Sequence, residues 1–223
     1  MRIAALLGAI LLIAVASLQN SDIDSWFAIN EIEIKGDLLN VTEAELQGDF
    51  SSLLDRSLLD LSLQDSLGII LASEWVESAE VRKVWPNKLQ VLVREYSPLA
   101  YWREGQLVST TAVVFSPKMA VDLPLPHLHG PEGASDIVLE QFGLISQVLA
   151  STSLRVSSLI LEARGAWTVT FSNGIPVKLG REQVLDRLQR FIAVYNTDLS
   201  GRIEQVFSVD ARYPHGVAVA WKE

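Results

Sequence analysis

Cysteine is absent from this chain of 223 residues. Disulfide scaffolds, cysteine-ligated zinc sites, iron–sulfur clusters and thiol nucleophiles all require that residue, so none of them can form here. The sequence also contains no G-x-x-x-x-G-K-[ST] loop, no G-x-S-x-G elbow, no H-E-x-x-H helix and no G-x-G-x-x-G turn. Because no nucleophile is paired with a base, we expect a protein that is not an enzyme and that uses no cofactor and no small-molecule substrate.

Histidine is scarce, with three residues in the whole chain. His127 and His129 lie two positions apart, and Glu132 follows them, a spacing that could chelate a metal ion. The segment around them is rich in proline, which favours an exposed loop, and no second histidine pair exists to complete a ligand set. We therefore expect no metal site. His215 is expected to be a polar turn residue, with contact to a partner as the alternative.

Basic residues are outnumbered, since 18 Lys and Arg face 27 Asp and Glu and the formal net charge is −9. Such a surface repels phosphate backbones, so nucleic acid is excluded as a partner. Hydrophobic residues make up 49% of the chain, which is ample material for a core and unlike a disordered composition. The length predicts two compact units.

One long uncharged run stands near the amino terminus, from Ile3 to Leu18. At about 1.5 Å per residue it would span roughly 24 Å, short of the roughly 30 Å hydrocarbon core of a bilayer. From these residues alone, a membrane anchor and a signal peptide cleaved after Ala16 both remain open. Arg2 precedes the run and Asp22 and Asp24 follow it, so the positive-inside rule places the rest of the chain outside the cytoplasm.

Residues 27–96 carry the pattern of a first unit in the order strand, helix, helix, strand, strand. The two last strands flank Pro86-Asn87-Lys88, a typical turn of a β-hairpin. The predicted elements are a strand at 29–34, a helix from the capping box Thr42-x-x-Glu45 to about Phe50, a helix at 62–73, and strands at 77–85 and 89–95.

Residues 97–223 carry the pattern of a second unit, in which helices alternate with antiparallel strands. The predicted elements are short strands at 99–102, 107–109 and 112–115, a proline-rich loop at 123–131, a helix at 135–150, strands at 167–171 and 175–179, a helix at 182–195, and strands at 205–213 and 217–221. Alternation in the penultimate strand predicts one shared face for Phe207, Val209, Ala211 and Tyr213.

Four of the six tryptophans carry an expectation about burial. Trp75, Trp85 and Trp167 lie on apolar faces or at strand ends, so we expect them in the core. Trp221 belongs to the last strand, which has little chain after it to cover its outer edge. We therefore expect that edge, and Trp221 with it, to be open to solvent or to another chain.

Several motifs resemble those of one known family. Residues 81–102, V-R-K-V-W-P-N-K-L-Q-V-L-V-R-E-Y-S-P-L-A-Y-W, are similar to the end of the POTRA domain of the FtsQ/DivIB cell-division proteins. Five further motifs resemble that family in order: L-x-G-P-E-G at 128–133, A-R-x-x-W at 163–167, L-G-R at 179–181, R-L-x-R-F at 187–191, and V-D-x-R-Y-x-x-G-x-A-V-x-W at 209–221. The resemblance spans residues 27–221.

The resemblance implies an α+β architecture in three parts. These are an uncleaved membrane anchor at 1–20 that crosses the bilayer through residues 3–18, a POTRA domain at 27–96, and an FtsQ-type β domain at 97–223 with an antiparallel sheet packed on helices. It also implies a single-pass protein of the inner membrane, with most of the chain in the periplasm at the division septum.

The same resemblance implies a function. FtsQ-like proteins are non-enzymatic scaffolds that bind FtsB and FtsL, contact other membrane proteins of the division complex and help to control septal peptidoglycan synthesis. The positions that would meet the partner are Arg164, Arg212, Tyr213, Gly216, Val217, Val219 and Trp221. The competing interpretation is a secreted periplasmic chaperone with a POTRA-like unit, although the roughly 120 residues that follow that unit are too few and too helical for an outer-membrane barrel.

The anchor interpretation predicts that the mature chain keeps residues 1–20 and stays in the membrane fraction. Mass spectrometry of the protein purified from its natural host measures the mature amino terminus directly. A terminus at Ser17, found in the soluble periplasmic fraction, would instead support the secreted alternative.

Overall fold

The computed structural model describes residues 23–118 and 122–222. The chain divides into two compact units, Met1–Tyr96 and Ser97–Glu223. The predicted anchor at residues 1–20 lies outside the described residues. Among the helices that are described, none is long and apolar enough to cross a membrane.

The first unit is a three-stranded sheet with helices on one face. Its elements are α1 (Ile23–Trp26), β1 (Glu31–Lys35), α2 (Glu43–Asp49), a 3₁₀ turn (Ser51–Leu53), α3 (Leu63–Leu71), β2 (Val76–Val84) and β3 (Lys88–Glu95). The sheet order is β1-β3-β2, with β1 parallel and β2 antiparallel to β3. The predicted order of strand, two helices and two strands is confirmed.

Local hydrogen bonds explain where the helices of this unit begin. At α2 the predicted capping box is present, because the Thr42 backbone N–H donates to Glu45 Oε2 at 2.8 Å and the Glu45 N–H donates to Thr42 Oγ1 at 3.3 Å. At α3 the Ser62 hydroxyl accepts from the Asp65 N–H. The helices bury Leu46, Phe50 and Ile70 against the aliphatic face of the sheet.

The three tryptophans expected in the core differ in how far they are buried. Trp75 is buried, as predicted, and so is Trp167 in the second unit. Trp85 is 54% exposed, so its expected place in the core is wrong. It follows the last residue of β2 and enters the turn, where its ring lies edge-on to Phe27 with the centroids 5.5 Å apart.

The second unit is a nine-stranded sheet. Its elements are β4 (Pro98–Tyr101), β5 (Leu107–Ser109), β6 (Val114–Phe115), β7 (His127–His129), α4 (Ser135–Leu149), β8 (Val156–Leu161), β9 (Trp167–Phe171), β10 (Pro176–Gly180), α5 (Val184–Val194), a π turn (Tyr195–Leu199), a 3₁₀ segment (Ser200–Gln205), β11 (Val206–Asp210) and β12 (Ala218–Trp221). The strand order is β12-β11-β10-β9-β8-β7-β4-β5-β6. The apolar sides of helices α4 and α5 pack against this sheet and form one core with it.

Two strands of this sheet go beyond the predictions. β7 lies inside the proline-rich segment, for which the sequence predicts a loop, and β8 has no counterpart among the predicted strands. They pair in parallel with each other, with Leu128 opposite Leu159. β7 also pairs in parallel with β4, while β8 pairs in antiparallel fashion with the neighbouring β9. Because the parallel contacts join distant parts of the chain, short-range sequence patterns do not indicate them.

The face predicted for the penultimate strand is wrong at both ends. A bulge lies between Val206 and Ser208, so that Val206 is fully buried and Phe207 is 64% exposed. Val209 and Ala211 are buried as expected. The strand ends at Asp210, which places Tyr213 beyond it in an exposed position.

Two phenylalanines provide a matched test of the core. Phe191 on α5 is 1% exposed and stacks on Phe171 with the ring centroids 5.4 Å apart. Replacing it by alanine should lower the free energy of unfolding of the second unit by about 3 kcal/mol or more, since it leaves a cavity. Phe207→Ala removes an exposed ring and should change that free energy by about 0.5 kcal/mol or less.

Urea denaturation of the two variants, followed by tryptophan fluorescence, provides the comparison. Equal destabilisation by Phe191→Ala and Phe207→Ala would contradict the packing described here.

Candidate functional site

The last strand, β12, forms one edge of the nine-stranded sheet. It pairs in antiparallel fashion with β11, with Val219 opposite Val209 and Ala218 opposite Asp210. Within residues 23–118 and 122–222, no strand pairs with its other side. The expectation of an open terminal edge is therefore confirmed for the described part of the chain, and this edge presents unpaired backbone groups.

The direction of the backbone groups along β12 follows from one hydrogen bond. The Lys222 N–H donates to the Gln205 carbonyl oxygen at 2.7 Å, so residue 222 points toward β11. Because successive residues of an antiparallel strand point to opposite sides, the N–H groups of Val219 and Trp221 point to the open edge. A partner strand would pair with these two residues.

Side chains on and before β12 offer apolar anchors. Val217 and Val219 are half-buried against the core. Trp221 is 45% exposed, and the guanidinium carbon of Arg202 lies 5.3 Å from its ring centroid. Tyr213 is exposed too, while its carbonyl oxygen accepts a hydrogen bond from Arg190 of α5, which ties the loop before β12 to that helix.

Two more sequence-predicted residues lie in this loop. Gly216 is half-buried immediately before Val217. His215 is exposed in the turn, in agreement with the expectation of a polar turn residue.

Arg212 follows β11 and is held by a carboxylate of the same strand. Its Nε donates to Asp210 Oδ1 at 2.9 Å and its Nη2 donates to Asp210 Oδ2 at 2.6 Å. This hydrogen-bonded pair lowers the pKa of Asp210 below its ordinary value and raises the pKa of Arg212. The Arg212 side chain remains half-exposed, so it can still meet a partner.

Arg164 occupies the turn between β8 and β9. Its Nε lies 2.6 Å from Glu162 Oε2, and the side chain is largely exposed. An exposed pair of this kind contributes little to stability, so the arginine can exchange its carboxylate for another at small cost.

The structure brings Arg164 and Arg212 together in a groove of about 380 Å³ at the end of β10. Four arginines and one glutamate supply its charged lining: Arg164, Arg181, Arg187, Arg212 and Glu182. Sequence reasoning did not assign a role to Arg181 or Arg187, although both lie in motifs quoted above. The structure shows that four arginines cluster on one surface of an otherwise acidic chain. We call this surface the arginine groove.

The histidine pair lies elsewhere in the second unit. His127 and His129 are exposed on the same face of β7, and the ring of His127 stacks on Tyr101 with centroids 4.9 Å apart. The expectation that they lie in a loop is wrong, since β7 is an internal strand of the sheet. Among the described residues, no three His, Asp or Glu side chains are grouped closely enough to hold a metal ion.

Comparison with protein families divides the chain as the structure does. The family model "POTRA domain, FtsQ-type" matches residues 27–96. The family model "Cell division protein FtsQ/DivIB, C-terminal" matches residues 100–212. The second match ends before β12, so the open edge lies beyond the matched region.

Curated relatives match over most of the chain. Cell division protein FtsQ of Hahella chejuensis is 33% identical over 86% of this chain and 69% of its own length. Cell division protein FtsQ of Coxiella burnetii is 32% identical over 83% of this chain and 74% of its own. Cell division protein FtsQ of Shewanella oneidensis is 34% identical over 88% of this chain and 75% of its own.

The ion pair at the groove predicts a pH dependence of stability. Because the pKa of Asp210 is lowered from 3.8 in the folded chain, its stabilising effect is fully present above that value and is lost as the pH falls below it. Asp210→Asn should therefore reduce the loss of thermal stability that occurs as the pH falls from about 4 to about 2.

Differential scanning calorimetry across this range measures the effect. Glu204→Gln, which changes an exposed carboxylate of the 3₁₀ segment, is the control and should keep the acid sensitivity of the unmodified chain. Identical pH profiles for Asp210→Asn and the unmodified chain would show that the pair with Arg212 does not stabilise the fold.

Proposed function

The chain belongs to the FtsQ/DivIB family of cell-division proteins, and we propose that it binds FtsB and FtsL on the periplasmic side of the inner membrane. This family consists of non-enzymatic scaffold proteins of cell division. Binding of FtsB would add a strand to the second unit, with FtsL carried in the same complex. The contact would link early and late division proteins and help to control septal peptidoglycan synthesis.

The open edge of β12 is the observation that carries this proposal. An edge strand whose N–H groups at Val219 and Trp221 point outward can accept an extended peptide by backbone hydrogen bonding. Backbone pairing would supply a sequence-independent part of the affinity. Specificity would come from side chains beside the edge, with Tyr213 and Trp221 as the aromatic anchors of the kind that dominate interfaces.

Charge complementarity supports the same surface. The chain as a whole carries a formal charge of −9, yet four arginines gather at the end of β10. Arg164 and Arg212 would pair with acidic side chains of the partner next to the added strand. Such pairs favour correct register and fast association more than they add to affinity.

The remaining part of the proposal concerns location. Residues 3–18 would anchor the chain in the inner membrane and leave both units in the periplasm, where they could also contact other membrane proteins of the division complex. This placement is supported by the uncharged run and by the charges that flank it.

Substitutions in β12 test the partner strand. Val219→Pro removes an outward N–H and places a ring at the pairing position, so it should abolish binding. Trp221→Ala and Tyr213→Ala should each weaken binding by about 2 kcal/mol or more if these rings fill pockets of the partner. Calorimetric titration of the periplasmic segment of FtsB into the full chain in mild detergent measures each affinity.

Val219→Ile is the matched control, because it keeps the N–H and a β-branched side chain and should bind nearly as well as the unmodified chain. Circular dichroism must show that each variant is folded. Unchanged affinity in folded Val219→Pro and Trp221→Ala would show that FtsB binds elsewhere.

A further inference from the structure

We propose that Gly180 is the positioning residue of the arginine groove, because the absence of a side chain there lets Arg187 and Arg212 lie together at the end of β10. This inference rests on the proposed function, since the groove matters through the partner that it meets. Gly180 would then affect binding although it has no side chain with which to contact a partner.

The backbone of Gly180 has a conformation that few other residues adopt. Its φ is +78°, in the left-handed region that favours glycine. It ends β10 just where a bulge shifts the pairing with β9, between Lys178 and Gly180. The carbonyl oxygen of Leu179 beside this bulge accepts a hydrogen bond from Arg187 Nη1 at 2.6 Å.

A side chain at this position would collide with Arg187 and press against Arg212. A Cβ atom on Gly180 would lie 2.5 Å from Arg187 Nη1 and 3.1 Å from Arg212 Cγ. The Arg187 atom is the far end of a flexible side chain, so the clash can be relieved when that guanidinium moves away. Gly180→Ala should therefore disturb the groove and leave the fold intact.

Both arginines are held in place in the present arrangement. Arg187 is fixed by the Leu179 carbonyl oxygen, and Arg212 by its two bonds to Asp210. Groups that are fixed before binding lose less conformational freedom when a partner arrives. Positively charged groups held close together also raise the local potential that attracts an acidic segment. Displacing Arg187 and the stem of Arg212 would remove both advantages.

The chain contains a matched control for backbone strain. Gly174, in the turn between β9 and β10, has a φ of +82°, and a Cβ atom there would meet nothing within 4 Å. Gly174→Ala and Gly180→Ala therefore place alanine in the same unfavourable backbone region of the same sheet. The two variants differ in whether the new methyl group reaches an arginine.

The test is calorimetric titration of the periplasmic segment of FtsB into the full chain in mild detergent, at low salt. Gly180→Ala should weaken binding about tenfold, whereas Gly174→Ala should stay within about twofold of the unmodified chain. The thermal unfolding temperatures of both variants are measured alongside and should fall by similar amounts. In an Arg187→Ala background the clash with the Arg187 guanidinium is removed and only the milder contact with the Arg212 stem remains, so Gly180→Ala should cost clearly less affinity.

The outcomes separate this inference from the proposed function. If the unmodified chain does not bind the FtsB segment, the proposed function fails. Alternatively, the unmodified chain binds the segment with an affinity that Arg212→Glu lowers. If Gly180→Ala then lowers that affinity no more than Gly174→Ala does, the positioning role of Gly180 is overturned and the proposed function stands. An equal cost of Gly180→Ala with and without Arg187 overturns the positioning role in the same way.

Discussion

A row of aliphatic side chains runs across six strands of the second unit, and the position of the candidate site depends on it. The row is formed by residues that face one another in register: Val219, Val209, Val177, Val169, Leu159 and Leu128. All except Val219, which is half-buried, are almost completely inaccessible to solvent. A shift of any strand by one residue would turn its apolar side chains to water, so burial sets the register. With Val219 in the row, β12 lies at the edge of the sheet, and no strand among residues 23–118 and 122–222 covers its outer side.

The edge that this row creates has little protection. Native edge strands are commonly blocked by lysine, proline or inward charges, which discourage pairing with other chains. β12 reads Ala-Val-Ala-Trp, with no charge and no proline inside the strand, while Pro214 and Lys222 flank it. It is short, which limits uncontrolled aggregation, but four residues suffice for a few backbone hydrogen bonds. Such an edge is better suited to a partner strand than to permanent exposure.

Elements that depend on neighbours in sequence could be predicted, and those that depend on distant pairing could not. The capping box at Thr42 and the long amphipathic pattern of α5 carry their information locally. β7 depends on its parallel pairing with β8, in which Leu128 faces Leu159, and no local pattern shows that long-range contact. The family motifs point to the terminal strand and to Arg164 and Arg212 as the candidate partner surface. Arg181 and Arg187 were not assigned to the candidate site, because only the folded chain shows that they line the same groove as Arg164 and Arg212.

The backbone and electrostatic parts of the candidate site meet at Asp210. This residue faces Ala218 of the edge strand and also holds Arg212 through Nε and Nη2. A guanidinium has five N–H donors, so this pair leaves Nη1 of Arg212 for a partner carboxylate. The pair therefore orients Arg212 and leaves its half-exposed side chain within reach of a second carboxylate. A segment that adds to β12 would bring its side chains close to Arg212, whose guanidinium is already oriented by Asp210 of β11.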